Sequence, residues 1–224
     1  MTRGSVSISV SASASVPASE PVVLVVEDDR SIRDALCRLF ATVGRKVLSF
    51  GSAAELLESE LPDVPRCLVL DIRLPGRSGL DLQAELAKAG VKIPIVFMTG
   101  HGDIPMTVRA MKAGASDFLT KPFHDQDMLD AVAVAIEKDA ERRASEQAVR
   151  DVRERYELLT PRERQVMVLA TQGLMNKQIA WELGLSEITV KIHRSHLMRK
   201  MEARSLAELV RMAERLGVGP AAPA

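Results

Sequence analysis

From Val22 to Ile136, short apolar runs alternate with amphipathic stretches of helical period, and no other feature narrows the fold as much. VVLVV (22–26), CLVL (67–70), IPIVFM (93–98) and DFLT (117–120) read as strands, with KVLSF (46–50) as a shorter fifth. Between them lie SIRDALCRLFATVG, SAAELLES, SGLDLQAELAKAG and DIPMTVRAMKAGA, two of which end on Gly44 and Gly90, where helices commonly stop. Parallel strands need crossovers, and strands apolar on both faces need cover on both. The expectation over 21–136 is therefore an α/β domain, a doubly wound five-stranded parallel sheet.

The flanks differ in character. Residues 1–20 are biased to Ser, Ala and Val, bounded by Pro17 and Pro21, and read as a disordered tail. Residues 137–158 contain neither Gly nor Pro, and Ala140, Ala144, Ala148, Val152 and Tyr156 recur at every fourth position. They read as a helical linker continuing the last helix of the front domain, and a helix over 125–156 would reach roughly 48 Å. A solvated spacer and a weak coiled-coil seam both fit this pattern. Thr160-Pro161-Arg162-Glu163 is a capping box with Pro at the first helical position, and Ser205 with Glu208 repeats the device. Asn176 and Ser186 read as further N-caps, so residues 159–217 divide into four short helices, with 218–224 as a frayed tail.

Charge separates the two halves. Residues 21–136 carry 13 Lys and Arg against 16 Asp and Glu, whereas 156–224 carry 10 against 7, so the front is mildly acidic and the rear mildly basic. Cys37 and Cys67 both sit in apolar patterns and read as small buried hydrophobes rather than as a disulfide or metal site. No apolar run approaches the ~18 residues needed to span a bilayer. The N-terminus lacks the apolar block of a secretory signal. The expected location is the cytoplasm.

In a doubly wound sheet, ligands bind at the carboxyl ends of the strands, where strand order reverses. Those ends read Glu27-Asp28-Asp29, then Asp71, Thr99 and Lys121-Pro122. Clustered carboxylates stay ionised only beside a cation, and oxygen ligands with room for water suit Mg²⁺ or Mn²⁺. An Asp beside such an ion can attack phosphorus and form an acyl phosphate, with Thr99 and Lys121 receiving the phosphoryl oxygens. Alone, Asp71 could cap the turn before Pro75-Gly76, and Asp29 could cap a helix from Ser31.

These residues resemble a response-regulator receiver domain, a flavodoxin-like fold. Glu27 and Asp28 match its acidic pair, Asp71 its phosphoacceptor, Thr99 its switch hydroxyl, Phe118 its switch aromatic and Lys121 its lysine. The resemblance implies a metal held by Asp28, Asp71 and the backbone carbonyl of Arg73, with Glu27 acting through water. It also implies a cis Lys121–Pro122 bond. TGHGDIPMTVRAMKAGASDFLTKPF (99–123) is similar to the FixJ branch in particular. Glu27 departs from the more frequent Asp, which preserves charge and alters ligand reach.

MNKQIAWELGLSEITVKIHRSHLMRKM (175–201) reads as helix, Gly-containing turn, helix. Ile179, Ala180 and Leu183 face inward on the first helix, and Val190, Leu197 and Met201 on the second. Lys191, Ile192, Arg194, Ser195 and Arg199 are left largely outward. A short basic helix after a tight turn suits major-groove reading. LTPRE (159–163), NKQIA (176–180), SEITV (186–190), His193 and Lys200-Met201 resemble the LuxR-type tetrahelical helix-turn-helix domain of the NarL/FixJ family. The resemblance implies that Lys191, Ile192 and Ser195 lie nearest the bases, while Asn176, Lys177, Thr189, His193 and Arg194 meet phosphates or fix the helix. Ile192 suits a thymine methyl. Ser195 departs from family members that carry a longer polar side chain there, so the resemblance implies base reading that rests more heavily on Lys191.

The expectation is a DNA-binding transcriptional regulator of a two-component system, phosphorylated on Asp71 by a sensor histidine kinase. It would pair through residues 103–120, bind a two-fold double-stranded DNA site and have RNA polymerase as a further candidate partner. It would not be an enzyme beyond Mg²⁺-dependent self-phosphorylation and autodephosphorylation. A phosphohydrolase of the aspartyl-phosphate type would carry a second Asp two residues after the nucleophile, and position 73 is Arg. A phosphorylated adaptor binding protein through its rear helices would not need the outward Lys191, Arg194 and Arg199.

Overall fold

The computed structural model describes residues 20–100 and 104–218. The expected tails over 1–19 and 219–224, and Asp103 of the expected pairing surface, lie outside the described residues. The chain divides into two compact units between Arg143 and Ala144.

In the front unit, β1 (Val22–Val26), β2 (Lys46–Phe50), β3 (Arg66–Asp71), β4 (Ile95–Thr99) and β5 (Asp117–Thr120) alternate with helices. The helices are α1 (Arg30–Thr42), α2 (Ala53–Glu58), α3 (Gly79–Lys88), α4 (Ile104–Lys112) and α5 (Asp125–Glu157). All strand pairs are parallel, in the order β2-β1-β3-β4-β5. Successive strand residues point to opposite faces, so each central strand feeds two cores. Leu24, Val26, Leu68, Leu70 and Phe97 pack beneath Leu56, Leu82 and Leu86 of α2 and α3. Val23, Val25, Cys67, Val69, Val96 and Met98 pack against Leu36 and Phe40 of α1 and Met128, Val132 and Ile136 of α5. Cys67 is a free thiol inside this second core, where burial pushes its pKa upward. Strand β4 starts at Ile95 rather than at Ile93 as the apolar run suggested. Pro94 has no N–H to give the ladder, and contributes only its carbonyl, to Leu68 N–H at 2.9 Å.

Helix α5 continues without a break from the front unit into the rear one. At Asp139–Arg143, near the start of the expected linker, it is anchored to the front unit. Asp139 is fully buried and accepts from the Arg66 backbone N–H at 3.0 Å, from Arg143 Nε at 2.7 Å and from Arg142. Arg142 also donates to the Lys92 carbonyl, and Arg143 also pairs with Asp63, so one carboxylate ties α5 to the starts of β3 and β4. Burial pushes the Arg66 guanidinium below its ordinary range, and its Nε has no hydrogen-bond partner among the described residues.

The rear unit packs the end of α5 with α6 (Pro161–Thr171), α7 (Asn176–Leu183), α8 (Glu187–Lys200) and α9 (Leu206–Leu216). Val152, Val166, Met167, Ile179, Val190, Leu197, Met201 and Leu209 form its core, with Tyr156 packed against them. The turn between α7 and α8 closes on Gly184, whose φ of 64° is left-handed and suited to glycine.

Candidate phosphoacceptor site and DNA-binding face

Strand order reverses between β1 and β3, and register brings the predicted residues together there. Val26 pairs with Leu70 and Asp71 with Met98, so Glu27, Asp71 and Thr99 end neighbouring strands. The Lys121 N–H, just past β5, donates to the Thr99 carbonyl at 2.7 Å. Its Nζ then reaches both Glu27 Oε2 and Asp71 Oδ2 at 2.7 Å. The Lys121–Pro122 bond is cis. Asp71 Oδ1 accepts from the Arg73 N–H at 3.0 Å, which fixes the carboxylate in its turn.

Glu27, Asp28 and Asp71 offer carboxylate oxygens that all lie within 4.8 Å of one another. Glu27 and Asp71 are buried and Asp28 is exposed, so the cluster opens to solvent on one side. Three carboxylates against one ammonium leave a negative charge that a hard divalent cation fits. Burial raises the Glu27 pKa and proximity to Asp71 adds to it, against the opposing pull of Lys121. Burial alone would lower the Lys121 pKa, but its bonds to Asp71 and Glu27 outweigh this and hold it above the ordinary range.

Asp29 stands apart from the cluster. Its Oδ1 takes the N–H groups of Ser31 and Ile32 at 2.7 and 3.2 Å as the cap of α1, which starts at Arg30. Phe118 is half-buried against the core beneath α4. Two residues beyond the expected set shape the site. Arg33 Nη1 donates to the carbonyls of Glu27 and Asp28 at 2.6 and 3.2 Å, holding the acidic loop. At Gly79 a Cβ would sit 2.4 Å from the Asp71 carbonyl oxygen, so only glycine lets α3 start against the loop that follows Asp71. A glycine directly after the Ser78 cap was the one signal in the sequence.

On the rear unit, Lys191, Ile192 and Ser195 are exposed on α8, and Lys177 is exposed on α7. Thr189 and His193 are half-buried, and Thr189 Oγ1 lies 2.8 Å from Ser186 Oγ at the α8 cap. Two expectations need correcting. Asn176 does not cap α7, which begins at Asn176 itself behind Met175, whose N–H donates to Gln178 Oε1 at 2.8 Å. The Asn176 Oδ1 instead accepts from Arg194 Nη1 at 2.6 Å. Arg194 is accordingly half-buried rather than outward, and the pair ties α7 to α8.

Glu163 fixes the base of α8. It completes the predicted capping box with Thr160 and receives Lys200 Nζ at 2.7 Å, while being almost fully buried. Burial would raise its pKa, but the bonds from Lys200 and Thr160 more than offset this and hold it below the ordinary value. A depressed folded pKa gives stability that is present above the unfolded carboxylate pKa of about 4.3 and lost as pH falls through the lower folded value. Glu163→Gln should cost about 1–2 kcal/mol at neutral pH and flatten this acid-side loss. Hydrogen exchange of α6 and α8 amides between neutral pH and pH ~3 would check both.

The comparisons with known proteins agree with this geometry. The response regulator receiver domain family matches residues 23–133, and the family of bacterial regulatory proteins of the luxR family matches residues 157–213. The chain is 60% identical over 200 residues to Nodulation protein W of Bradyrhizobium diazoefficiens, covering 89% of this chain and 88% of that protein. It is 45% identical over 206 residues to Transcriptional regulatory protein FixJ of Azorhizobium caulinodans, covering 92% and 97%. A solved structure of the response regulator StyR matches with a TM-score of 0.82 at 49% identity, covering 88% of this chain and 100% of that one. The chain belongs to the two-component response regulators that join a receiver domain to a LuxR-type DNA-binding domain and regulate transcription. Among its described residues no helix is long and apolar enough to cross a membrane.

Proposed function

We propose that a sensor histidine kinase phosphorylates Asp71 of this response regulator, and that the modified chain pairs and binds a two-fold DNA site in the cytoplasm. The observation that carries this reading is the bridge of Lys121 Nζ to both Asp71 and Glu27 at 2.7 Å, beside Asp28, at the point where strand order reverses.

An oxygen of Asp71 attacks phosphorus as the bond to the donor's leaving group breaks. Asp28 and Asp71, with the Arg73 carbonyl and Glu27 through water, are the residues that would hold Mg²⁺ or Mn²⁺. When bound, the ion supplies neutralisation of the phosphoryl oxygens. Lys121, charged at neutral pH, neutralises the same oxygens from the β5 side, and Thr99 hydrogen-bonds them. A doubly charged group at Asp71 draws Thr99 inward, Phe118 follows, and the surface over 103–120 changes between two states.

That surface supports pairing of two copies. Ile104, Val108 and Met111 stand exposed at spacings of four and three along α4, an apolar face among the described residues of the front unit. Pairing doubles the phosphate contacts made through Lys177, Thr189, His193 and the Asn176–Arg194 pair, so binding becomes steeply salt-dependent. RNA polymerase is the further partner of a DNA-bound regulator.

Mobility shift of random duplex DNA at two salt concentrations, with and without acetyl phosphate and Mg²⁺, tests the reading. It predicts binding that weakens with salt and strengthens on phosphorylation. Binding indifferent to the phosphoryl donor would contradict it. Lys191→Ala should cost roughly 1–3 kcal/mol on the preferred duplex if Lys191 reads a guanine. An equal loss on every sequence would mark Lys191 as a phosphate contact instead.

A further inference from the structure

We propose that Ile188 is a base-reading residue of this DNA-binding domain, recognising the C5-methyl group of a thymine. Ile188 is the second residue of α8 and is 71% exposed, more than Ile192 at 51%. A β-branched apolar side chain this open gains nothing from the fold. The first turn of a helix could equally be filled by a polar residue.

Its position explains it. At about 100° per residue, Glu187, Lys191, Ser195, Ile188 and Ile192 fall in that order across an arc of about 140°. All five are exposed, while Val190 and Leu197 are buried on the opposite side of the helix. Ile188 thus lies inside the arc that carries the expected base-reading residues, one turn nearer the N-terminus than Lys191 and Ile192. A recognition helix meets base edges chiefly through its N-terminal residues. Ile188 and Ile192 are also four apart, so they are neighbours on the helix surface and form a continuous apolar strip.

Charge around the strip fits the same ligand. Lys191 Nζ lies 3.9 Å from Glu187 Oε1, an exposed pair that flanks Ile188. The charge of Lys191, three residues on and a neighbour of Ile188 on the helix surface, is therefore partly balanced, which makes the strip a poorer seat for a phosphate than for an apolar base edge. In the major groove that edge is the thymine methyl.

The test uses the full chain. Duplexes are selected from a random library by the wild-type protein, and the preferred duplex is remade with deoxyuridine replacing thymidine one position at a time. This removes a methyl group and leaves every hydrogen-bonding group in place. Wild type should lose about 4-fold in affinity at each thymine whose methyl is buried by an isoleucine. Ile188→Ala should abolish the loss at one position and keep it at the position read by Ile192, with Ile192→Ala showing the converse. Ile188→Val should keep part of the discrimination, which separates a lost contact from a damaged helix. The proposal is overturned if Ile188→Ala discriminates thymine from uracil as wild type does, if wild type discriminates nowhere, or if Ile188→Ala weakens every sequence equally.

Discussion

Asp71→Asn should reduce transfer of labelled phosphate from acetyl phosphate to background while leaving the front unit folded. The asparagine is the same shape, and its carbonyl oxygen can still accept the Arg73 N–H that now binds Asp71 Oδ1. What it lacks is the anionic oxygen proposed to attack phosphorus. Lys121 retains Glu27 as a partner at 2.7 Å, so no buried ammonium is stranded. The stimulation of DNA binding by acetyl phosphate should disappear with the label, while unstimulated binding, which belongs to the rear unit, should persist. Measuring label and mobility shift on the same preparation separates a lost nucleophile from a lost fold.

Asp139→Ala should destabilise the front unit by about 3 kcal/mol, at the lower end for a broken buried ion pair. Its carboxylate satisfies the Arg66 backbone N–H and two arginines, and no water can replace it at full burial. Arg142 and Arg143 are partly exposed and can turn to solvent, whereas the buried Arg66 backbone N–H, on a residue 4% exposed, would be left without its acceptor. Urea unfolding followed by hydrogen exchange in β1 and β3 would give the change. Asp139→Asn should cost less, because its carbonyl can keep the Arg66 N–H. A loss under 1 kcal/mol for the alanine variant would show that the network is no more than a surface cluster.

These two residues also mark what the sequence discloses. Asp71 is legible because four unbroken apolar residues lead into it, and because Glu27, Asp28 and Lys121 fall at other strand ends of the same pattern. The strand period and the helix period are strong signals, and they place those ends without knowledge of side-chain contacts. Asp139 carries no such mark. It lies among alternating charges on a helix, where a solvated carboxylate is the ordinary reading, and only the fold brings Arg66 to it across 73 positions. Asn176 fails for a related reason. Asn is a good cap by type, but Arg194, 18 residues away, claims its oxygen. Gly79 is intermediate, since an opening glycine is visible in the sequence while the approach to the Asp71 carbonyl is not. Of the exposed isoleucines of α8, Ile192 is legible from the helical spacing of Val190, Leu197 and Met201, whereas Ile188 in the first turn belongs with Asp139, its exposure seen only in the fold.

The most direct measurement concerns where the phosphoryl group goes. The chain is incubated with acetyl phosphate and Mg²⁺, reduced with borohydride, which converts an aspartyl phosphate to homoserine, and digested with trypsin. Cleavage after Arg66 and Arg73 releases CLVLDIR, residues 67–73, with Asp71 as its single carboxylate side chain. The account predicts homoserine at position 71 in that peptide and an unmodified peptide when Mg²⁺ is chelated. Homoserine at Asp28 or another aspartate, with CLVLDIR unchanged, would contradict it.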